Sequence, residues 1–551
     1  MNRNVKLHGG GTGKLKNRRL DAELGQNELR EYLENKSETA LSGFPVEKPE
    51  LVRVRKPFGR PIKVLLVSPP ISIPKGMLKR CIPPLGLSYI AAILEKYGVA
   101  VNMVDCVVEG HSTEREIGAG MITYGLRPED IRERVRDASP DVVGISVLFS
   151  TDIENLFETC RVIRSLDRNI VIVVGGLHPT IYPQKIVERS QITDGSDYLL
   201  DFIIRGEGEY RFLSFVQNLQ EGLVDKNADG LVSHFEGEWI YRHQRTLIEN
   251  LDELPLPAYH LLPMERYFEI NTPFSPVPQG NRVVQLLTSR GCPVGCTFCA
   301  STNLYRKYRH RSVKNIIREV QAWKSRYKVD EIQFVDDNLT FVRGHSIDLF
   351  KALAPLSLKW CTPNGTMVNT LTPELMDLMA KSGLYQITLS LDSGSVETLK
   401  TLHHKPVKLN SIPGLIDKAK EYGIYTHGTL VVGMPGETLD DIRAGFEFVK
   451  TLDLTSISTF IAAAIPGSEL YHQVLEKGLI NNKDAEAINT TKCKMLLTDI
   501  DPLVLEATVL EFQEEFSTLV KERDPELWHA KYGRLLEQNP EFDMHYGGRL
   551  T

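Results

Sequence analysis

The sequence predicts an α/β protein made of two successive strand–helix series. Three observations carry that reading. Short β-branched apolar runs recur along the chain, the first being Ile62-Lys63-Val64-Leu65-Leu66-Val67-Ser68, as in buried parallel strands. Apolar-faced helical stretches separate these runs, and strand–helix alternation means a parallel sheet with helices packed on it. A polar segment, 227–245, and a Pro-rich connector, 251–258, divide the two series.

In the first series the expected strands are 62–68, 99–104, 142–147, 170–174 and 198–204. Helices are expected over 86–97, 128–138, 152–166 and 184–188. Pro69-Pro70 ends the first strand and Gly98 stops the first helix. In the second series the strands are 283–288, 331–335, 359–362, 386–391, 426–432 and 456–464. Its helices are 313–326, 345–352, 373–381, 408–422 and 439–451. Residues 1–60 are polar, with a plausible helix over 21–35. Beyond 496, Phe512, Phe516, Trp528 and Tyr532 recur at core-like helical spacing. The expected division is an N-terminal extension 1–60, a doubly wound domain 61–225, a linker 226–280, a second α/β domain 281–490 and a helical region 491–551.

Bulk composition narrows the function. A net charge of -6 gives no reason to expect nucleic acid or anionic membrane as a partner. No apolar run reaches the length of a membrane span, and residues 1–6 lack the apolar core of a signal peptide. Eight cysteines in 551 residues do not make a disulfide framework, so a reducing cytoplasm is the expected setting.

Three of those cysteines lie together in Ser289-Arg290-Gly291-Cys292-Pro293-Val294-Gly295-Cys296-Thr297-Phe298-Cys299-Ala300. Thiolates suit iron–sulfur clusters or zinc. Gly291, Pro293 and Gly295 keep the segment out of helix, so it can wrap a metal centre. A closed site takes four ligands. Three leave one iron of a cubane free for a substrate-like ligand. The alternative is a zinc knuckle completed by a distant residue such as His310, though a strand feeding a three-cysteine loop is poor zinc-ribbon grammar. The spacing, with Phe298 before the third cysteine, resembles the radical S-adenosylmethionine (SAM) enzymes.

The strand ends of the first series carry a second pattern, and ligands of such sheets bind there. In order come Asp105-Cys106-Val107-Val108-Glu109-Gly110, then Ser146-Val147-Leu148, Gly175-Gly176-Leu177-His178 and Gly206-Glu207-Gly208-Glu209. Together they resemble a Rossmann-like cobalamin-binding domain with the pattern D-x-H-x-x-G, S-x-L, G-G. Small residues let the backbone approach a nucleotide tail, and Ser146 can hydrogen-bond its base. The resemblance implies cobalamin contacts at Asp105, Val107, Gly110, Ser146, Leu148, Gly175, Gly176, His178, Gly206 and Glu207. Val107 stands where the cobalt-ligating His would be, so cobalamin is expected with its own base displaced and no imidazole in its place. The alternative is a degenerate flavodoxin-like domain that binds nothing. The loop 71–82, with Lys75, Lys79, Arg80 and Cys81, should lie against the ligand.

For the second series the resemblance implies a partial (β/α)6 barrel, with polar groups gathered at the carboxyl ends of its strands. It places a [4Fe-4S] cluster on Cys292, Cys296 and Cys299. It places SAM near Phe298, with Asp336 and Asp337 toward the amino group, and Ser390 and Asp392 toward the ribose and methionyl group. Val432 and Ala464 belong to segments that wall the adenine. Asp337 or Asn338 could instead cap a helix.

Taken together, the two domains resemble a cobalamin-dependent radical SAM methyltransferase that uses two SAM. One supplies a methyl by way of cobalamin, and the other yields a 5′-deoxyadenosyl radical that removes hydrogen from an unactivated carbon. Arg80-Cys81-Ile82-Pro83-Pro84-Leu85-Gly86-Leu87 and Tyr124-Gly125-Leu126 are similar to methylases of phosphonate antibiotic pathways, the fosfomycin type. The expected partners are a small-molecule substrate and an electron donor such as flavodoxin or ferredoxin. Two alternatives remain: radical rearrangement or cyclisation without methyl transfer, and a cobalamin-binding sensor. Methyl transfer requires the two strand-end faces to oppose each other across a shared cavity.

Overall fold

The computed structural model describes residues 48–118, 120–192, 197–275, 277–305, 307–405, 407–480, 497–526 and 528–529. The expected helix at 21–35 and Tyr532 lie outside the described residues.

Five parallel strands form the centre of the first sheet: β1 (Lys63–Ser68), β2 (Ala100–Asp105), β3 (Val142–Ser146), β4 (Val171–Gly175) and β5 (Phe202–Ile204). Their order is β2-β1-β3-β4-β5. The direction of winding reverses between β1 and β3, which is where such sheets open a ligand crevice. Helices α1 (Leu85–Lys96) and α4 (Glu209–Gln220) pack together, as do α2 (Pro128–Ala138) and α3 (Ile153–Leu166). Alternate residues of β1 feed opposite cores: Val64 and Leu66 enter one, Leu65 and Val67 the other. That is the period-two pattern of a strand covered on both faces.

Three parts depart from the sequence expectation. The linker expected over 226–280 begins with strands β6 (Leu231–Phe235) and β7 (Glu238–Tyr241), which add antiparallel to β5 and make the sheet seven-stranded. Leu231, Val232 and Ser233 are buried there, and Glu236-Gly237 supplies a two-residue turn. The strand expected over 198–204 shortens to three residues, because Tyr198 bridges to Gln191 and Leu199 N–H donates to Ser190 O at 2.8 Å before the ladder begins. The loop after β1 is partly a strand, Ile71–Pro74, in a small antiparallel sheet with Met121–Tyr124 and Glu114–Gly118.

The second sheet has six strands, all parallel and in chain order: β8 (Val283–Leu286), β9 (Glu331–Phe334), β10 (Lys359–Met367), β11 (Leu384–Asp392), β12 (Tyr425–Val432) and β13 (Ser456–Ile461). Helices α5 (Val313–Tyr327), α6 (Arg343–Leu353), α7 (Pro373–Lys381), α8 (Ile412–Glu421) and α9 (Leu439–Lys450) connect them. β8 and β13 do not pair among the described residues, so this is an open six-unit barrel. Helix α10 (Pro502–Arg523) packs on α9 and β13. Phe512 stacks on Phe446 at 3.8 Å, and Phe516 is also buried, so these aromatics are core. No helix of the described residues is long and apolar enough to cross a membrane.

The amino ends of the barrel strands are plugged by the segment that precedes β8. Ser275 donates its N–H to Gln333 at 3.0 Å and its hydroxyl to Gln386 at 3.2 Å. The N–H groups of Gln279 and Gly280 both donate to Glu331 at 2.7 Å, and Tyr385 donates to the same carboxylate at 2.8 Å. Burial raises the pKa of Glu331 despite these donors.

Candidate active site

The cysteine loop leaves β8 and is closed at its base by a two-residue antiparallel ladder, Ser289–Arg290 with Arg309–His310. Gly291 has φ +86°, and a Cβ there would meet the carbonyl oxygens of Tyr305 and Lys307 at 2.4 and 2.5 Å. Only glycine fits that turn. Cys292 then donates its N–H to Tyr305 O at 3.1 Å, and Cys299 donates to Cys296 O at 3.1 Å. The far side of the loop is held by the barrel: Thr297 donates its N–H to His403 O at 3.1 Å and its hydroxyl to Leu402 O at 2.6 Å, and accepts from Leu470 N–H at 2.8 Å. Phe298 meets the His403 ring edge-on at 5.4 Å and packs on the apolar cluster that contains Ala464 and Met434.

The three thiols sense one another. Burial pushes the Cys292 thiol up to about 11 and that of Cys296 higher still, and Cys299 adds to both shifts. Lys405 pulls both down. Its ammonium is buried and pairs with Asp392. Burial alone would lower the pKa of Lys405, but Asp392 and the neighbouring thiols raise it overall. One buried and two half-buried thiols beside one buried cation fit anionic thiolates that hold a cluster, with metal displacing their protons. Among the described residues no three His, Cys, Asp or Glu side chains converge tightly enough to hold a single metal ion. A cubane spreads three thiolates over separate irons, so it does not need that convergence. His310 is exposed and stacks on His345 at 4.3 Å, with its Nδ1 toward Arg311 O. The zinc knuckle with His310 as ligand therefore finds no support.

The barrel strand ends behave differently from one another. Asp336 is buried and its Oδ1 is committed: Thr288 N–H donates to it at 3.0 Å, Thr288 hydroxyl at 2.6 Å and Ser289 hydroxyl at 2.5 Å. Burial nevertheless raises its pKa to about 6. Asp337 accepts from Gly291 N–H at 3.2 Å and faces the cavity described below. Neither it nor Asn338 caps α6, whose N-cap is Val342. Ser390 is half-buried opposite Gly365. Asp392 sits at a bulge in β11 with φ +59°, a strained conformation for a non-glycine residue. Val432 and Ala464 are buried in separate apolar clusters.

A cavity of about 440 Å³ lies between the two sheets' carboxyl ends. Ser146, Leu148, Gly175, Gly176, Gly206 and Glu207 line it from the first sheet, and Ser289, Arg290, Gly291, Tyr305, Val335 and Asp337 from the second. Leu148 and Phe149 on the first-sheet side are more than half exposed, 56% and 55%, and offer apolar surface of the kind a ligand covers. Gly176 has φ +103°, and a Cβ there would stand 2.3 Å from Val147 O, so only a bare backbone passes this wall. An apolar, glycine-walled crevice fits the flat face of cobalamin.

Four expected cobalamin residues stand off the cavity. Asp105 is buried, accepts from Val107 N–H at 3.0 Å and from Tyr267 hydroxyl, and burial raises its pKa to about 6. Val107 is buried, and Gly110 is pressed against the Gly125-Leu126 backbone. His178 pairs with Ser150 at 2.9 Å and stacks on Tyr182; burial lowers its pKa to about 4. In the loop 71–82, Lys75 pairs with Glu116 and Lys79 with Glu114, while Arg80 donates to Pro273 O at 2.6 Å.

Sequence reasoning missed Lys405, His403, Arg290 and Arg309. His403 is fully buried with neither ring nitrogen hydrogen-bonded among the described residues. Lys405 follows a strand end by 13 residues, and no local pattern marks it. Arg290 stood inside the quoted motif, and its proximity to the cysteines was the available signal. Its guanidinium and that of Arg309 both reach Glu207, and Arg290 also reaches Glu209.

Two family models match the chain: the B12 binding domain over residues 75–216 and the Radical SAM superfamily over 286–449. The cytidylyl-2-hydroxyethylphosphonate methyltransferase of Streptomyces wedmorensis is 34% identical over 484 residues, covering 82% of this chain and 89% of that protein. Among solved structures, the radical SAM methyltransferase TsrM of Kitasatospora setae, with cobalamin and [4Fe-4S] cluster bound, superposes with TM-score 0.60 at 18% identity, covering 76% of this chain and 75% of that one. The cobalamin-dependent SAM radical enzyme OxsB, with aqua-cobalamin and SAM bound, gives TM-score 0.56 at 19% identity over 89% of this chain and 64% of that one.

Proposed function

This chain belongs to the cobalamin-dependent radical SAM methyltransferases, and from that premise we propose that it methylates an unactivated carbon of a phosphonate-bearing small molecule in antibiotic biosynthesis. The enzyme uses a [4Fe-4S] cluster, SAM and cobalamin. Bound together, these groups supply hydrogen abstraction and methyl donation. The observation that carries the reading is the cavity lined by strand ends of the first sheet and by the ends of β8 and β9, where the cysteine loop begins.

Cys292, Cys296 and Cys299 would hold the cluster. Lys405 and Asp392 lie beside it as a buried ion pair, a cation and a carboxylate that would re-pair with the carboxylate and ammonium of the SAM methionyl group. Asp337 and Ser390 would face SAM, while Phe298, Val432 and Ala464 stiffen its walls. Asp336 keeps Thr288 and Ser289 in register rather than meeting SAM. Ser146, Leu148, Gly175, Gly176 and Gly206 would line the cobalamin face. Asp105, Val107, Gly110 and His178 support that wall from behind. The first functional unit runs from 61 through β7, and the second from 281 to 480.

The phosphonate class rests on the Streptomyces relative, whose name gives a cytidylyl-phosphonate substrate, and on the stretches 80–87 and 124–126. A small acidic redox protein of the flavodoxin or ferredoxin kind would deliver electrons. Cys81, Cys106, Cys160 and Cys361 are buried free thiols, which suits a reducing cytoplasm.

The test is one turnover with methyl-deuterated SAM and a cytidylylated phosphonate. The expected product carries the label on carbon and forms with 5′-deoxyadenosine. A rearranged or cyclised product without label would overturn methyl transfer. Bound cobalamin with no SAM cleavage at all would favour a sensor.

A further inference from the structure

One carboxylate from the first sheet holds both ends of the cysteine loop. The two-residue ladder places Arg290 opposite Arg309, and these residues open and close the segment that carries all three cysteines. Two neighbouring guanidiniums repel each other unless an anion stands between them. Glu207, just beyond β5, accepts from Arg290 Nη1 at 3.1 Å and from Arg309 Nη1 at 2.9 Å. Glu209 takes the other arm of Arg290 at 2.6 Å. The Ile248 N–H donates to Glu207 at 2.7 Å and fixes its carboxylate.

The cluster is balanced, with two cations and two anions, and its side chains are 3% to 16% exposed. Burial would raise the pKa of Glu207, yet Arg290 and Arg309 bring it below the ordinary value. Burial works against the charge of Arg290 as well, and Glu209 and Glu207 more than offset it. Such networks add little stability over apolar packing of the same volume, but their forked geometry fixes orientation. This one fixes it at a telling place: Glu207, Glu209 and Arg290 all line the shared cavity, and Arg290 is two residues before Cys292.

We propose that Glu207 is a positioning residue that locks the cysteine loop to the cobalamin-side sheet, so that radical and methyl donor meet the same substrate carbon. The proposal rests on the functional reading above. Its consequence is coupling: without the lock, SAM is still cleaved, but fewer cleavages end in methylation.

The experiment uses the reconstituted holoenzyme and Glu207→Gln, which keeps the size and one acceptor and removes the shared negative charge. Iron, sulfide and cobalamin contents are expected to match the wild type. Pulsed dipolar EPR between the reduced cluster and cob(II)alamin should show a broadened distance distribution. The ratio of 5′-deoxyadenosine to methylated product should rise on the order of tenfold, since misplacement by about an ångström can cost ~10² in rate. A purely structural role would lower both products together and leave the ratio unchanged. Arg290→Lys, which keeps the charge without the fork, should fall between, and it carries the test if Glu207→Gln loses a cofactor. An unchanged distance distribution and an unchanged ratio in these variants would overturn the proposal. A wild type that does not methylate would instead strike the functional reading, and the distance measurement, which needs no substrate, would still decide the lock.

Discussion

Gly176→Ala tests the cobalamin wall with one methyl group. The residue lies at φ +103°, where a side chain costs about 1–2 kcal/mol. Its Cβ would stand 2.3 Å from Val147 O and 2.8 Å from Val147 N, so the Val147 peptide must retreat by about 1 Å to reach ordinary contact. That peptide accepts from His178 N–H at 3.3 Å and donates to Gly175 O at 2.9 Å. Losing both bonds adds about 2 kcal/mol. The sum, roughly 3 kcal/mol, corresponds to about a hundredfold weaker cobalamin binding if the native wall must be restored for the ligand to seat. Titration of apo-protein with hydroxocobalamin, followed by absorbance, measures this directly. Iron content should be unchanged, because the cysteine loop is held by other contacts. A variant that binds cobalamin within about threefold of wild type would refute the reasoning, since a 3 kcal/mol penalty cannot hide in that margin.

Two further outcomes follow from buried groups. Among the described residues no His lines the cavity, and Val107 is buried away from it, so pulsed EPR of the cob(II)alamin form should lack strong axial nitrogen coupling; such coupling would break the no-imidazole expectation. Asp152, which accepts from Ser72 N–H at 3.0 Å, has its pKa raised to about 7, chiefly by burial. Between about pH 4 and 7 the folded protein holds a proton that the unfolded chain has released, so this group makes stability fall as pH rises through that window. Asp152→Asn should flatten that slope and be more stable at pH 8, on the order of 4 kcal/mol. Parallel denaturation profiles of variant and wild type at pH 5 and 8 would sink the assignment.

The parallel strands were legible because their apolar runs are short, β-branched and bounded by Gly, Pro or polar strand ends. The antiparallel additions were not. β7 reads Glu238-Trp239-Ile240-Tyr241 and Glu114–Gly118 is mostly exposed, so neither has the uniform apolar face of a buried strand. Helix α4, amphipathic and immediately after the Gly206–Glu209 turn, was not anticipated either. In the site, positions were easier to read than partners. The cysteine triad and the glycines at strand ends announce themselves within a few residues. Glu207 was read as a cobalamin contact and lines the cavity, and its carboxylate is also committed to arginines 83 and 102 residues away. Asp336 was read as a SAM contact, and its Oδ1 is also held by residues 47 and 48 positions earlier. Pairings at such separations are set by the folded topology, and one sequence carries no local mark of them.

The plug beneath the barrel bears on traffic. With Glu331, Gln333 and Gln386 tied to Ser275, Gln279 and Gly280, the preceding segment covers the amino ends of β9 and β11. Substrate, both equivalents of SAM and every spent product would then share the opening beside the first sheet. Sharing makes exchange sequential: whatever sits nearer the solvent has to depart before anything deeper is renewed. A catalyst that consumes two molecules of one donor per cycle is thereby limited by the order of departures, and spent donor that lingers in the mouth obstructs its own replacement.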